Sequence, residues 1–141
     1  MCIGKDSKEN FDTQSNRVPL KKSLDSYVQD DFAHEQSLIV TEKGKSVLFS
    51  GCSHKGVANI LRTAYKYQPV IKAVFGGFHL YSPSTNVTEP AEAIQRLAQE
   101  LSQHDAVFYT CHCTGNIAFE IMRGSLGDKI QYFSTGSAIE L

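Results

Sequence analysis

The sequence contains no long hydrophobic run and no marked excess of charge of either sign. No apolar stretch approaches the roughly 20 residues that a membrane-spanning helix needs, so we expect no membrane association. The formal net charge of -1 gives no electrostatic reason to expect nucleic acid or an anionic membrane as a partner. The first residues, Met1 to Asp6, are polar and lack the apolar core of a signal peptide. We therefore expect a cytoplasmic protein whose cysteines are reduced.

The length and composition predict one globular domain. The 141 residues are 41% hydrophobic and 21% charged, which suffices for one core but not for two ordinary domains. Residues 1–24 differ from the rest because they are rich in Lys, Asp, Ser, Asn and Gln and show no apolar period. We interpret 1–24 as a loosely ordered lead-in or linker. The folded domain is then expected to span 25–141.

The pattern of apolar residues after this lead-in predicts alternating strands and helices. The predicted elements, in order, are a hairpin of strands 37–41 and 46–50, helix 55–67, strand 70–75, a loop over 81–89, helix 91–102, strand 106–110, helix 114–123 and strand 129–133. A hairpin followed by βαβαβ-type crossovers indicates an α/β fold, with parallel strands and helices covering the sheet. Ligands of such sheets bind beyond the carboxyl ends of the strands.

Three histidines follow three consecutive predicted strands. His54, His79 and His112 each stand directly after a strand, and each is flanked by glycine or other small residues. A single histidine at such a place is more often structural or helix-capping. Three at equivalent positions are expected to converge on one edge of the sheet, where imidazoles suit a borderline-soft divalent cation. The sequence therefore predicts a metal site formed by His54, His79 and His112.

The two other histidines lack this placement. His104 falls in a polar loop and is expected to face solvent. His34 stands in an acidic segment with Asp30, Asp31 and Glu35, whose carboxylates could be metal ligands or could hold a ligand in place. We favour a solvated acidic turn over either of these roles.

The cysteines also have competing interpretations. We expect Cys52 to be a small buried apolar residue. The segment Cys111-His112-Cys113 suggests a structural zinc knuckle. Alternate residues of an extended segment point to opposite sides, however, so the two cysteines are not expected to share a metal with the histidine between them. No second cysteine pair completes a tetrahedral site.

Several blocks of the sequence resemble the metallo-β-lactamase superfamily. They are Asp31 to Leu38, Val47 to Ile60 (with Gly-Cys-Ser-His-Lys-Gly at 51–56), Gly76 to Leu80, Cys111 to Gly115 and Ser134 to Ile139. The resemblance runs from about residue 26 to residue 141. The most similar branch is that of the 7,8-dihydropterin-6-methyl-4-(β-D-ribofuranosyl)aminobenzene-5′-phosphate synthases.

This resemblance implies an αββα sandwich with a metal site at one edge of its two sheets. It matches His54 to the histidine of the superfamily's third motif and His112 to that of its last motif. His79 falls where many members carry a bridging aspartate, although a histidine there agrees with the branch named above. The implied cofactor is a divalent metal, and zinc is the ion we expect.

The superfamily's amino-terminal metal motif, His-x-His-x-Asp-His, does not occur in these 141 residues. We therefore interpret the chain as the carboxyl-terminal half of such a sandwich: a truncated gene product, a split subunit or a partial polypeptide. One face of its sheet would then be exposed. The chain alone is expected to hold at most one metal weakly and to be inactive.

The sequence leaves three functions open. The first is a metal-dependent hydrolase-like or pterin-transferase-like protein acting on a small-molecule substrate, which could be phosphorylated or pterin-like. Lys55 and the loop with Ser82, Ser84 and Thr85 could contact an anionic substrate, although exposed Lys and Ser are usually only solvated. The second is a non-catalytic module that binds a complementing half-domain or a second copy of the chain. The third is a degenerate remnant. No catalytic residue is assigned.

Overall fold

A computed structural model describes residues 1–3, 14–17 and 19–141 of the chain. The strands are β1 (Cys2–Ile3), β2 (Leu20–Ser23), β3 (Ser26–Gln29), β4 (Ser37–Glu42), β5 (Lys45–Ser50), β6 (Ala73–Gly76), β7 (Tyr81–Ser82), β8 (Val87–Thr88), β9 (Val107–Thr110) and β10 (Ile130–Tyr132). The α-helices are α1 (Val57–Tyr67), α2 (Ala91–Ser102) and α3 (Asn116–Leu126). Short 3-10 turns lie at Ser15–Arg17, His112–Thr114 and Gly127–Lys129.

The central sheet has the strand order β1-β4-β5-β6-β9-β10. β1, β4 and β5 pair antiparallel, whereas β5, β6, β9 and β10 are mutually parallel. A hairpin thus leads into parallel strands connected through helices, and the predicted α/β class is confirmed. The carboxyl ends of β5, β6 and β9 are neighbours at one edge, so the loops that follow these three strands meet there.

One face of this sheet forms the core with the helices. The strand register aligns one apolar residue from each of five strands in a single row, consisting of Ile39, Leu48, Val74, Phe108 and Ile130. All five are buried, and they pack in one cluster with the apolar sides of the three α-helices. None of the helices in the described part of the chain is long and apolar enough to cross a membrane.

The opposite face of the sheet carries an aromatic row that no helix of the described residues covers. Phe49, Phe75 and Tyr109 are cross-strand neighbours, with ring centroids 5.1 Å and 4.6 Å apart. Phe49 and the adjacent apolar residues Leu38 and Val40 are each at least 40% exposed. The last residues of the chain line an open cavity of about 630 Å³ over this row. We call Leu38, Val40, Phe49 and Phe75 the open face; Tyr109, at the far end of the row, is buried.

The structure differs from the sequence prediction in two segments, 1–24 and 81–89. Within the predicted lead-in 1–24, the structure forms β1, a 3-10 turn and β2, while residues 4–13 and 18 lie outside the described residues. The prediction of an irregular loop over 81–89 was wrong. β7 and β8 pair there as a short hairpin, with Asn86 at a positive φ of 54° in its turn. The polar composition that suggested a loop also suits a hairpin turn.

Substituting Gly76 with alanine is expected to destabilise the fold by about 1–3 kcal/mol. A Cβ atom at position 76 would lie 2.7 Å from the backbone oxygen of Ser50, so β5 and β6 would have to separate at their functional ends. Gly51→Ala is the matched control, because a Cβ there meets nothing within 4 Å. Urea unfolding of both variants measures the effect. Equal losses of unfolding free energy would show that close approach at Gly76 is not the cause.

Candidate metal site at the carboxyl ends of the parallel strands

Backbone hydrogen bonds join the three loops that follow β5, β6 and β9. The Gly77 amide donates to the Gly51 oxygen at 2.9 Å, which links the first two loops. The Leu80 amide donates to the Cys113 oxygen at 2.9 Å, which links the second loop to the third. The segments that carry His54, His79 and His112 therefore form one connected edge.

Two buried threonines hold the second and third loops in place through hydrogen bonds. The Phe78 amide donates to the Thr114 hydroxyl at 2.9 Å, and the Thr110 hydroxyl donates to the Gly76 oxygen at 3.0 Å. The two hydroxyls are themselves hydrogen-bonded. Since Thr110 gives its only proton to Gly76, Thr114 must donate to Thr110. This chain of satisfied donors holds the backbone just before His79 and next to His112.

His54 is held by a polar residue on each side. Its backbone amide and that of Lys55 donate to the two oxygens of Glu35, at 2.7 Å and 3.0 Å. Asn16 Nδ2 donates to the His54 oxygen at 2.6 Å, and Asn16 Oδ1 lies 3.0 Å from His54 Nδ1. Because an amide oxygen only accepts, His54 Nδ1 carries a proton, and Nε2 is the ring nitrogen that can bind a metal. Such an outer acceptor is the usual partner of a metal-binding histidine.

Two aromatic rings enclose the His54 imidazole. Phe32 stacks on it with ring centroids 4.2 Å apart and an interplanar angle of 8°. His79 lies on it at 3.9 Å, tilted by 50°. Phe32 and His79 are both buried. His54 and His79 are therefore brought together as predicted, in a partly water-excluded position.

His112 joins the site through cysteine side chains. Its ring nitrogen, Cys52 Sγ and Cys113 Sγ all lie within 4.8 Å of one another. The prediction that Cys52 is a small buried apolar residue was wrong. The two cysteines that flank His112 do not both share a metal position with it, as expected, because Cys111 is not in this group. Cys52 is only half-buried and has polar neighbours, and Cys113 does not point away from His112. The reason is local, because residues 112–114 form a 3-10 turn rather than an extended segment.

The surroundings shift the pKa values of the three cysteines in opposite directions. A hydrogen bond from Cys113 and another from His54 lower the pKa of Cys52 from 9.0 to about 3, and the neighbouring imidazoles add to the effect. The hydrogen bond to Cys52 and burial raise the pKa of Cys113. Burial and the nearby Cys52 raise the pKa of Cys111. The favoured state is a Cys52 thiolate beside two neutral thiols, and thiolates are the form that binds metals.

Four residues at this edge adopt a left-handed backbone despite having side chains. The φ angles are 51° for Phe32, 57° for Ser53, 50° for His79 and 54° for His112. Each such conformation costs free energy that the surrounding structure must offset, and residues of this kind cluster at functional sites. Three of the four belong to the histidine loops, so the side-chain directions of His79 and His112 depend on these turns.

The remaining candidates lie apart from this cluster. His34 is 71% exposed and lies 3.8 Å from Asp30. The acidic segment is not simply a solvated turn, because the Asp30 side chain is only 12% exposed and Glu35 accepts the backbone amides of the His54 loop. His104 is half-buried against Tyr65 rather than facing solvent, with ring centroids 5.4 Å apart, and burial lowers its pKa. Lys55, which could contact an anionic substrate, is buried rather than solvated.

Sequence reasoning overlooked several residues that build the site. Asn16 was hidden in the predicted lead-in, and the carboxylate of Glu35 was given to a solvated turn. Nothing in the local sequence marks Asn16. Cys52 and Cys113 could have been weighed together, because both lie close to histidines after parallel strands of one sheet.

A shallow cavity of about 480 Å³ adjoins His112. Its walls are Cys111, His112 and the chain from 132 to 137, including the hydroxyl-bearing run Ser134-Thr135-Gly136-Ser137. Gly136 has a φ of 88°, which lets this run turn back, and the Ser137 amide donates to the Ser134 oxygen at 3.0 Å. The cavity offers hydroxyl groups next to the metal-binding edge.

Comparison with known proteins supports the architecture. No protein-family model matches the sequence. A solved structure of a metal-dependent hydrolase of the β-lactamase superfamily superposes with a TM-score of 0.74 and 29% identity, over 86% of this chain and 46% of that one. The α/β fold of the chain thus matches a protein of this superfamily.

Two relatives come from Methanocaldococcus jannaschii. A 7,8-dihydropterin-6-methyl-4-(β-D-ribofuranosyl)-aminobenzene-5′-phosphate synthase is 28% identical over 142 aligned positions, covering 98% of this chain and 46% of the relative. An uncharacterized protein is 33% identical over 88 residues, covering 62% of this chain and 30% of that protein. The chain thus spans less than half the length of each protein it matches.

Proposed function

We propose that the chain supplies part of the metal centre of a metal-dependent hydrolase of the β-lactamase superfamily. The observation that carries this proposal is the meeting of His54, His79 and His112 at one edge, linked by ring contact and by Cys52. The likeness to a metal-dependent hydrolase supports it independently.

The donor atoms at this edge suit a divalent metal of the zinc type. Imidazoles and thiols are borderline or soft ligands, and the Asn16 contact leaves His54 Nε2 as an available lone pair. In the proposal, His54, His79 and His112 are the histidine ligands. A bound zinc would polarise a substrate oxygen or acidify a water. The chain itself orients His54 through Asn16 and Glu35, and Phe32 keeps water from one face of the ring.

The proposed substrate is a small molecule with an anionic or polar group, phosphorylated or pterin-like. The shallow cavity beside His112 supports this, because Ser134, Thr135 and Ser137 place hydroxyl groups where phosphate or ester oxygens would accept hydrogen bonds. Likeness to a pterin synthase favours transfer to a pterin, whereas likeness to a hydrolase favours attack by water. We place hydrolysis first because the hydrolase shares the described fold.

We further propose that the open face is covered by a second half of the sandwich. An apolar face with side chains as exposed as Phe49, Leu38 and Val40 is expected to pack against a partner. The matched hydrolase is more than twice the length of the aligned part, because this chain covers 46% of it. The covering half would come from a longer polypeptide, a partner subunit or a second copy. The alternative is a non-catalytic module that uses the open face only to bind such a partner.

Metal analysis of the purified chain tests the proposed site. Loading with Zn²⁺ followed by dialysis is expected to leave bound zinc. His54→Ala is expected to lower the amount, and His112→Ala is expected to remove most of it. The loss follows from deleting a ligand from a small set. His34→Ala is the matched control, because His34 is exposed and lies in the same half of the chain. Elemental analysis with circular dichroism separates loss of metal from loss of fold.

Two results would overturn the metal-centre proposal. One is zinc content that is unchanged in folded His54→Ala and His112→Ala chains. The other is zinc content far below one per chain even after the open face is covered by a complementing polypeptide. The second result would favour the binding-module alternative.

A further inference from the structure

Two thiols lie beside the three histidines, and the proposed hydrolase site does not use them as ligands. Cys52 Sγ and Cys113 Sγ come from loops after different strands, yet both lie within 4.8 Å of a ring nitrogen of His112. Cys113 is buried and Cys52 is half-buried. Two thiols and an imidazole, brought together from two separate places in the sequence, are a donor set that suits a metal ion.

The distances suit a tetrahedral ion. Zinc lies about 2.3 Å from cysteine sulfur and about 2.0–2.1 Å from histidine nitrogen, so tetrahedral angles place the two donors about 3.6 Å apart. Cys52 Sγ and His112 Nδ1 are 3.7 Å apart. This pair therefore needs almost no rearrangement to share an ion.

The backbone at Gly77 leaves room for the Cys113 thiol. A Cβ atom at Gly77 would lie 2.6 Å from Cys113 Sγ, so the thiol occupies the space that only glycine leaves there. The 3-10 turn at His112–Thr114 and the positive φ of His112 bring consecutive donors to one side. Cys111, which precedes the turn, is not in the group.

We propose that Cys52, Cys113 and His112 bind a thiophilic divalent cation, zinc in the cell, in a tetrahedral site whose fourth position is open. This inference deepens the proposed function, since it shares His112 with the histidine set, but it does not depend on hydrolysis. Thiolate donors select zinc over the hard cations Mg²⁺ and Mn²⁺. An open fourth position is typical of catalytic rather than structural zinc.

Cobalt titration of the full chain under reducing conditions tests the thiol ligands directly. Co²⁺ bound by thiolate is expected to give a sulfur-to-cobalt charge-transfer band in the near ultraviolet, saturating at about one ion per chain and displaced by Zn²⁺. Cys52→Ser and Cys113→Ser are expected to abolish the band. Cys111→Ser is the matched control and is expected to keep it.

Gly77→Ala provides a test that retains every cysteine. The added methyl group would push Cys113 Sγ out of its place, and this is expected to weaken or remove the charge-transfer band. Because only the end of one small side chain has to move, the fold is expected to persist. This variant keeps the inference falsifiable if Cys113→Ser fails to fold.

The outcomes of the cobalt experiments distinguish the cysteine site from the histidine site. Cobalt bound with no charge-transfer band, and lost in His54→Ala and His79→Ala, would overturn the thiol ligands and leave the histidine site standing. A band that survives both Cys52→Ser and Cys113→Ser would also overturn them. If cobalt does not bind the reduced chain at all, the thiol site is wrong and the isolated chain lacks the histidine site too. A Cys52–Cys113 disulfide in air-exposed protein, with no cobalt binding after reduction, would mark a redox pair instead.

Discussion

Replacing Glu35 with alanine is expected to weaken metal binding by about 10–100-fold, the range found when an outer partner of a metal ligand is removed. Glu35 touches no donor atom. It accepts the backbone amides of His54 and Lys55 with its two oxygens, at 2.7 Å and 3.0 Å. Without it, the backbone of the His54 loop loses these two hydrogen bonds to the segment before β4. The ring is then held only by Asn16 and by its contacts with Phe32 and His79.

The same substitution is expected to cost about 1.5–3 kcal/mol of unfolding free energy, because the two amides that donate to the Glu35 carboxylate lose their acceptor. Glu35→Gln keeps one oxygen acceptor and should fall between the wild type and Glu35→Ala. Asp31→Ala is the control, since its carboxylate lies in the same turn but pairs with Lys21 at the surface. Zinc affinity and urea unfolding are the measurements. Full zinc affinity in Glu35→Ala would refute this positioning role.

The strand pattern made much of the fold predictable. β4 and β5 alternate between buried and exposed positions, and α2 carries its apolar residues on one side. The predicted helix 91–102 has the observed bounds. The hairpin and the parallel order follow from such local signals together with the chirality of crossovers. Because this order fixes which strand ends are neighbours, the meeting of His54 and His79 was also predictable.

The cysteine site depends on information that the pattern does not carry. Whether Cys113 shares a side with His112 depends on a 3-10 turn and on a positive φ at His112. Neither has a sequence signal, because a left-handed histidine is set by its tertiary surroundings. Asn16 is similar, since its partner His54 is 38 residues away. Local propensity predicts elements, whereas these contacts depend on where loops from different elements meet.

In the metal-free native chain, the alkylation rate of Cys52 is expected to be nearly constant between about pH 5 and pH 8, where an ordinary thiol gains roughly tenfold per pH unit. The reacting species is the thiolate. Hydrogen bonds from Cys113 and His54 depress the pKa of Cys52 well below this window, so the thiolate is already fully formed at its acidic end. The absolute rate should be modest, because nucleophilicity falls as the pKa falls. Iodoacetamide labelling with peptide mass analysis measures the profile.

The same residue in the urea-unfolded chain is the internal control, because unfolding removes both hydrogen bonds and should restore the tenfold slope. Cys113→Ala should restore part of that slope in the folded chain, since Cys113 is the larger cause of the depressed pKa. Because the pKa of Cys52 is lower in the folded chain than in the unfolded chain, the thiolate stabilises the fold at pH values above the unfolded-state pKa. This stabilisation is lost as the pH falls through the folded-state pKa. A native Cys52 whose labelling rises tenfold per unit from pH 5 to pH 8 would show that the thiol is protonated. The thiol would then lose its proton only when a metal binds.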